Sequence, residues 1–190
     1  MRGKSVYILL TDTGTLFTRA IKLYTRNPYN HASIAFDENL TEVYSFGRKN
    51  PRNPFIGGFV EEDIKEGLYK QATGVIYRLN VSEHAYDKMR EYIQAIDDQR
   101  EDYRYNLLGL IAIIFNIPLN RENAFFCSQF VAAVLQQSES VDLNKPLAFI
   151  KPHDLQGLTD LQLVYEGSLH HYMKRHPNCS LFLDNNQGVC

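Results

Sequence analysis

Phe125-Phe126-Cys127-Ser128-Gln129-Phe130-Val131 opens an apolar amphipathic segment that reaches Ser138. Its spacing predicts a helix over residues 126–138 with Cys127 in or beside the first turn. At such a position unpaired amide N–H groups and the positive end of the helix dipole favour a thiolate, and the same N–H groups can hold an oxyanion. The competing reading is a small buried hydrophobe, the commoner fate of a lone cysteine among Phe, Val and Ala. What separates the two readings lies elsewhere in the chain.

With 190 residues, 44% of them hydrophobic and 22% charged, the chain is long enough for one well-buried domain, expected over residues 1–172 with a loose extension at 173–190. A formal net charge of -2 offers no global basic field for nucleic acid or an anionic membrane. Three cysteines, at 127, 179 and 190, are odd in number and far apart, which argues against a disulfide framework and for a reducing, cytoplasmic setting. Val6-Tyr7-Ile8-Leu9-Leu10 follows a basic start but is too short for a signal peptide and ends at Thr11-Asp12-Thr13-Gly14, so it reads as a first strand. Residues 107–117 are apolar but interrupted by Asn116 and stopped by Pro118, well short of the roughly 20 residues a membrane span needs. A core helix over about 105–115 is expected there, and no integral membrane segment.

Apolar spacing predicts a further helix over 16–24, ending near Asn27-Pro28. His31-Ala32-Ser33-Ile34-Ala35-Phe36 reads as a strand, residues 37–39 as a turn, and Thr41-Glu42-Val43-Tyr44-Ser45-Phe46 as its antiparallel partner. Residues 47–73 are rich in Gly, Pro, Asn and charge and are expected to be an irregular, substrate-shaping loop around Gly57-Gly58. A strand at 74–79 follows, then a helix capped by Ser82 and running to about Gln99. A Pro-punctuated connection, a short helical turn near Asp154-Leu155 and a last strand at 162–166 complete the α+β order.

A thiolate nucleophile needs a base, usually histidine, and a third group that orients the imidazole. Of six histidines, His31 is the most suggestive, because it opens a strand after an Asn-Pro-Tyr-Asn turn and can project from a sheet edge into a cleft. A solvated strand-end histidine is the plain alternative. His84, His153, His170, His171 and His176 read as surface or capping residues. The spacing of the last three with Cys179 matches no defined zinc pattern, so neither a metal nor another cofactor is expected.

Asn-His-Ala-Ser-Ile-Ala around His31, followed much later by Phe-Cys-Ser-Gln-Phe-Val around Cys127, resembles the circularly permuted branch of the NlpC and papain-like thiol hydrolases, which includes YiiX-like proteins and relatives of lecithin-retinol acyltransferase. The likeness covers roughly residues 5–165. It implies a papain-like, permuted NlpC-type α+β fold, an antiparallel sheet packed on helices with the nucleophile at a helix N-terminus. It also implies Cys127 as nucleophile, His31 as general base and the Cys127 amide as an oxyanion donor. In the family the third residue comes from the strand after the histidine strand and is a His, Asn, Gln or Glu; here the matching residue by spacing is Ser45, a departure from that pattern. Glu42 alternates to the opposite face from Ser45, while Glu61 or Glu62 could fold back over the site. Ser45 and Glu62 both stay open as the orienting residue. Tyr7, Asp12, Arg48 and Gly58 are candidate lining residues for a small-molecule, peptide or acyl substrate. The activity implied is cleavage of an amide, ester or thioester through an acyl-enzyme; a non-catalytic binding module and a lipid-directed acyltransferase are the alternatives.

Overall fold

Strict alternation in Lys4–Asp12 makes the first strand, β1, the hub of the molecule: Val6, Ile8 and Leu10 enter one core cluster, Tyr7 and Leu9 the other. The computed structural model describes residues 3–14, 27–48, 57–106, 123–138 and 141–176. Around β1 lie β2 (His31–Ala35), β3 (Val43–Arg48), β4 (Gly57–Glu61), β5 (Thr73–Val81) and β8 (Gln162–Ser168), in one antiparallel sheet ordered β4-β3-β2-β1-β5-β8. The expected hairpin is present. Its turn is organised by Asp37, whose carboxylate accepts hydrogen bonds from the Thr41 amide and hydroxyl and from the Glu42 amide, each at 2.9 Å.

Two helices cover the first face of the sheet. Helix α1 (Glu83–Asp98) buries Ala85, Met89, Ile93 and Ile96 along one stripe, and the Ser82 hydroxyl accepts from the Ala85 amide at 3.1 Å as its spacing predicts. Helix α2 (Cys127–Gln136) is apolar on almost every side, with Phe130, Val131, Val134 and Leu135 at 0% exposure. Each such side chain contributes roughly 1.5–3 kcal/mol by leaving water, so α2 is fixed against β2 and β3. A short parallel pair, β6 (Arg104–Tyr105) with β7 (Ala124–Phe125), delivers the chain to its start.

The second face is covered by the 3-10 turn Gly67–Gln71 and by α3 (Leu169–Arg175), which buries Leu169 and Tyr172. Two expectations change here. Residues 47–73 are not one irregular loop, because β4 extends the sheet beyond the hairpin; glycine-rich Gly57-Gly58 hides this strand from propensity, yet Gly58 pairs with Gly47 and Phe59 packs in the core. Nor does regular secondary structure end at 172: α3 runs to Arg175, with only two buried side chains to mark its periodicity. Residue 105, where a helix was expected to begin, is in β6. The helices expected over 16–24 and beyond 106 lie outside the described residues, as do residues 177–190. Among the described residues no helix is long and apolar enough to cross a membrane.

Candidate active site

The start of α2 is set by packing. Phe46 of β3 meets Phe125 and Phe130 with ring centroids 5.1 Å apart in each case, clamping both sides of Phe126-Cys127 to the sheet. Ser128 adds a buried hydrogen bond from its hydroxyl to the Ile150 carbonyl at 2.6 Å. Phe126 is the N-cap in extended conformation and supplies no side-chain acceptor. The first-turn amides, that of Cys127 among them, therefore have neither an intrahelical partner nor a capping side chain. Cys127 is a free thiol, 4% exposed, and its side chain is within hydrogen-bonding reach of His31.

His31 opens β2 opposite Thr11 of β1. Its Nε2 lies 2.7 Å from Glu62 Oε1, which leaves Nδ1 to face the thiol. Glu62 follows β4 and is tied by its amide to the Val43 carbonyl at 2.7 Å. Its Oε1 also accepts from the Ser45 hydroxyl at 2.5 Å and its Oε2 from the Ser33 hydroxyl at 2.5 Å. Tyr69, from the 3-10 turn, completes the cradle: its hydroxyl joins the network at Glu62 and Ser33, and its ring stands 6.4 Å from that of His31. Ser33, Ser45 and His31 share a face because the strand period is two.

Burial opposes a charge on His31, but the Glu62 carboxylate and the hydrogen bond with Cys127 outweigh it and raise the imidazole's pKa. Burial likewise pushes Glu62 upward, and His31 with the Ser33 and Ser45 hydroxyls more than offsets it, so the carboxyl sits below its ordinary value. The Tyr69 phenol is held well above its usual range, by burial first and then by the charge on Glu62, which keeps its proton available to donate. A buried carboxylate with one cationic and several hydroxyl partners satisfies the condition under which such a charge persists.

Of the two residues left open as orienter, Glu62 contacts the imidazole and Ser45 contacts Glu62. Glu42 turns to the other face and pairs with Arg90 of α1. Gly47, opposite Gly58, lies beside His31, where an added Cβ would stand 3.7 Å from Cε1; Gly58 is thus one strand further out. Asp12 accepts from the Asn30 side chain at 2.9 Å and from the Gly14 amide at 3.1 Å, bracing the turn that leads into His31. Tyr7 does not join the group: it packs with Leu9, Ala35 and Ile76, four residues along β1 from the partner of His31. Arg48 ends β3 opposite Gly57, and its side chain lies outside what is described. Ser33 and Tyr69 escaped the sequence reading. Ser33 is detectable as the same-face neighbour of His31 at i+2, whereas nothing in the sequence around Tyr69 ties it to a site 38 residues away.

Among the described residues no group of three His, Cys, Asp or Glu side chains is placed to hold a metal. His170 and His171 lie on α3, across the sheet from α2. Buried oxygens without a hydrogen-bond partner among the described residues occur at Thr11, Asn30 and Gln129, next to His31 or Cys127 in register or sequence. The arrangement can move a proton between a thiol and an imidazole while a carboxylate holds the ring and its charge. Comparison with models of protein families, with curated proteins and with solved structures finds no match.

Proposed function

We propose that this chain is a cysteine hydrolase, with Cys127 the nucleophile, His31 the general base and Glu62 the residue that orients it. The observation that carries the reading is the continuous contact from the Cys127 thiol through His31 to Glu62 Oε1 at 2.7 Å, starting at an uncapped helix N-terminus. In the forward step the sulfur, its proton already passed to His31 to give a thiolate–imidazolium pair, attacks an amide, ester or thioester carbonyl. The carbonyl oxygen becomes an oxyanion facing the first-turn amides of α2, with the Cys127 N–H as one donor. His31 then returns the proton to the leaving amine, alcohol or thiol, and an attacking water reverses the sequence to free the acid.

The chain order supports placing this fold with the permuted papain-like thiol hydrolases, since the histidine strand precedes the cysteine helix. A free thiol fits the reducing, cytoplasmic setting read from the cysteine count. The lipid-directed acyltransferase reading rests on residues 107–117, which lie outside the described residues, and no observation favours it.

Incubation of the full chain with p-nitrophenyl and thioester acyl donors, followed by intact mass and peptide mapping, tests the proposal. A single acyl adduct on Cys127 is expected, formed faster than on the same cysteine in urea and slowed in His31→Ala. Acylation of Cys127 no faster than in the unfolded chain, with no effect of His31→Ala, overturns it.

A further inference from the structure

Three lysines with no ion pair among the described residues surround one groove. Lys65 precedes the 3-10 turn Gly67–Gln71 and Lys70 lies within it, and α3 presents His170 and Lys174, one helical turn apart, from the other side. Ile64 and Met173 form the apolar part of a groove of about 220 Å3. Three other cations among the described residues are neutralised locally: Arg90 by Glu42, Arg100 by Asp97 and Lys145 by Asp154. Lys65, Lys70 and Lys174 form no ion pair among the described residues. The acids of the same loop do not serve them, since Asp63 accepts from the Lys65 amide rather than its ammonium and Glu66 is exposed without an ion pair. A net charge of -2 makes such a cluster a local feature, not an overflow of basic composition.

We propose that this groove binds a phosphate-type dianion carrying an apolar substituent, that is, a phosphomonoester. Lysine ammonium groups act as point charges for phosphate, and three lysines lining one groove from its two sides match an anion with several free oxygens. His170 adds a ring N–H donor on the same face of α3. The apolar pair Ile64 and Met173 gives the substituent a surface to leave water against, which inorganic phosphate lacks. The site is separate from Cys127 and does not depend on the hydrolase reading, although Lys70 follows Tyr69 in the turn and a bound anion ties that turn to α3.

Titration of the 15N-labelled full chain with phenyl phosphate at constant ionic strength tests this. Saturable shifts are expected at Lys65, Lys70, Met173 and Lys174, with inorganic phosphate binding several-fold more weakly. Lys70→Ala combined with Lys174→Ala should weaken binding by about tenfold or more without changing the melting temperature of the unliganded protein. Sedimentation with phosphatidylcholine vesicles containing phosphatidic acid separates two sources of the same chemistry. Pelleting that the double variant loses makes the ligand a lipid headgroup, and phenyl phosphate binding without pelleting makes it a soluble phosphomonoester. Shifts reproduced by chloride at equal ionic strength, or a double variant that binds like the parent, overturn the proposal.

Discussion

Glu62 reaches His31 from beyond β4, two strands away from the histidine's own, and the strand between them contributes Ser45 as a donor to that carboxylate. The imidazole is thus oriented by a charge, and the charge is held by hydroxyls. Replacing Glu62 by Gln keeps the shape and removes the charge. Labelling of Cys127 by iodoacetamide at neutral pH should fall by at least about tenfold, because the imidazolium loses its carboxylate. Retained labelling would show that Glu62 plays no part in the thiol's reactivity.

Tyr69→Phe removes one hydroxyl from the cradle and leaves the ring beside His31. A hydrogen bond to a charged group contributes about 1.5–3 kcal/mol, so urea unfolding at pH 7 should show a loss near the lower end of that range, Tyr69 being half-buried. The separate signature is an acid limb: with one donor fewer, Glu62 protonates at higher pH, and the fall in stability on acidification should begin earlier in Tyr69→Phe than in the parent protein.

Much of this was legible in the sequence because it is written in local chemistry. Cys127 stands at the start of an apolar helix, and His31 opens a period-two strand; both follow from spacing alone. The choice between Ser45 and Glu62 did not, because it depends on β4, whose Gly57-Gly58 start suppresses strand propensity while the pairing Ser45 to Val60 and Gly47 to Gly58 restores it. Without β4 nothing returns Glu62 to the histidine. Tyr7 misled for the opposite reason: alternation gives its face correctly, but distance along the strand decides whether that face is near the site.

The His31–Glu62 pair also sets a pH window for stability. The pKa of His31 is raised on folding, so its contribution is full below the ordinary histidine value of about 6.5 and is lost as pH rises through the folded value. That of Glu62 is lowered, so its contribution is present above the ordinary carboxylate value of about 4.5 and is lost as pH falls through the folded one. The melting-temperature difference between the parent protein and His31→Ala should therefore be greatest between about pH 4.5 and 6.5 and shrink on the alkaline side. A difference that stays constant from pH 5 to 9 would show that the two groups do not interact as described.

Two glycines in the rows beside His31 make contrasting demands. At Gly74, paired with Thr11, an added Cβ would stand 2.7 Å from the Leu10 carbonyl oxygen and 3.1 Å from Thr11 Cγ2, so β1 and β5 would have to separate. At Gly47 the same atom would meet Ser45 Oγ at 3.5 Å and Val60 Cγ2 at 3.6 Å, ordinary contacts that need no movement. Gly74→Ala should cost about 1–3 kcal/mol in urea unfolding, as overpacking against a backbone does, and Gly47→Ala less than about 0.5 kcal/mol. Because Thr11 is also the register partner of His31, the strand shift forced by Gly74→Ala should slow Cys127 labelling as well, whereas Gly47→Ala should leave it near the parent rate. Equal costs at the two positions would mean that β1 and β5 are not as closely approached as their register implies.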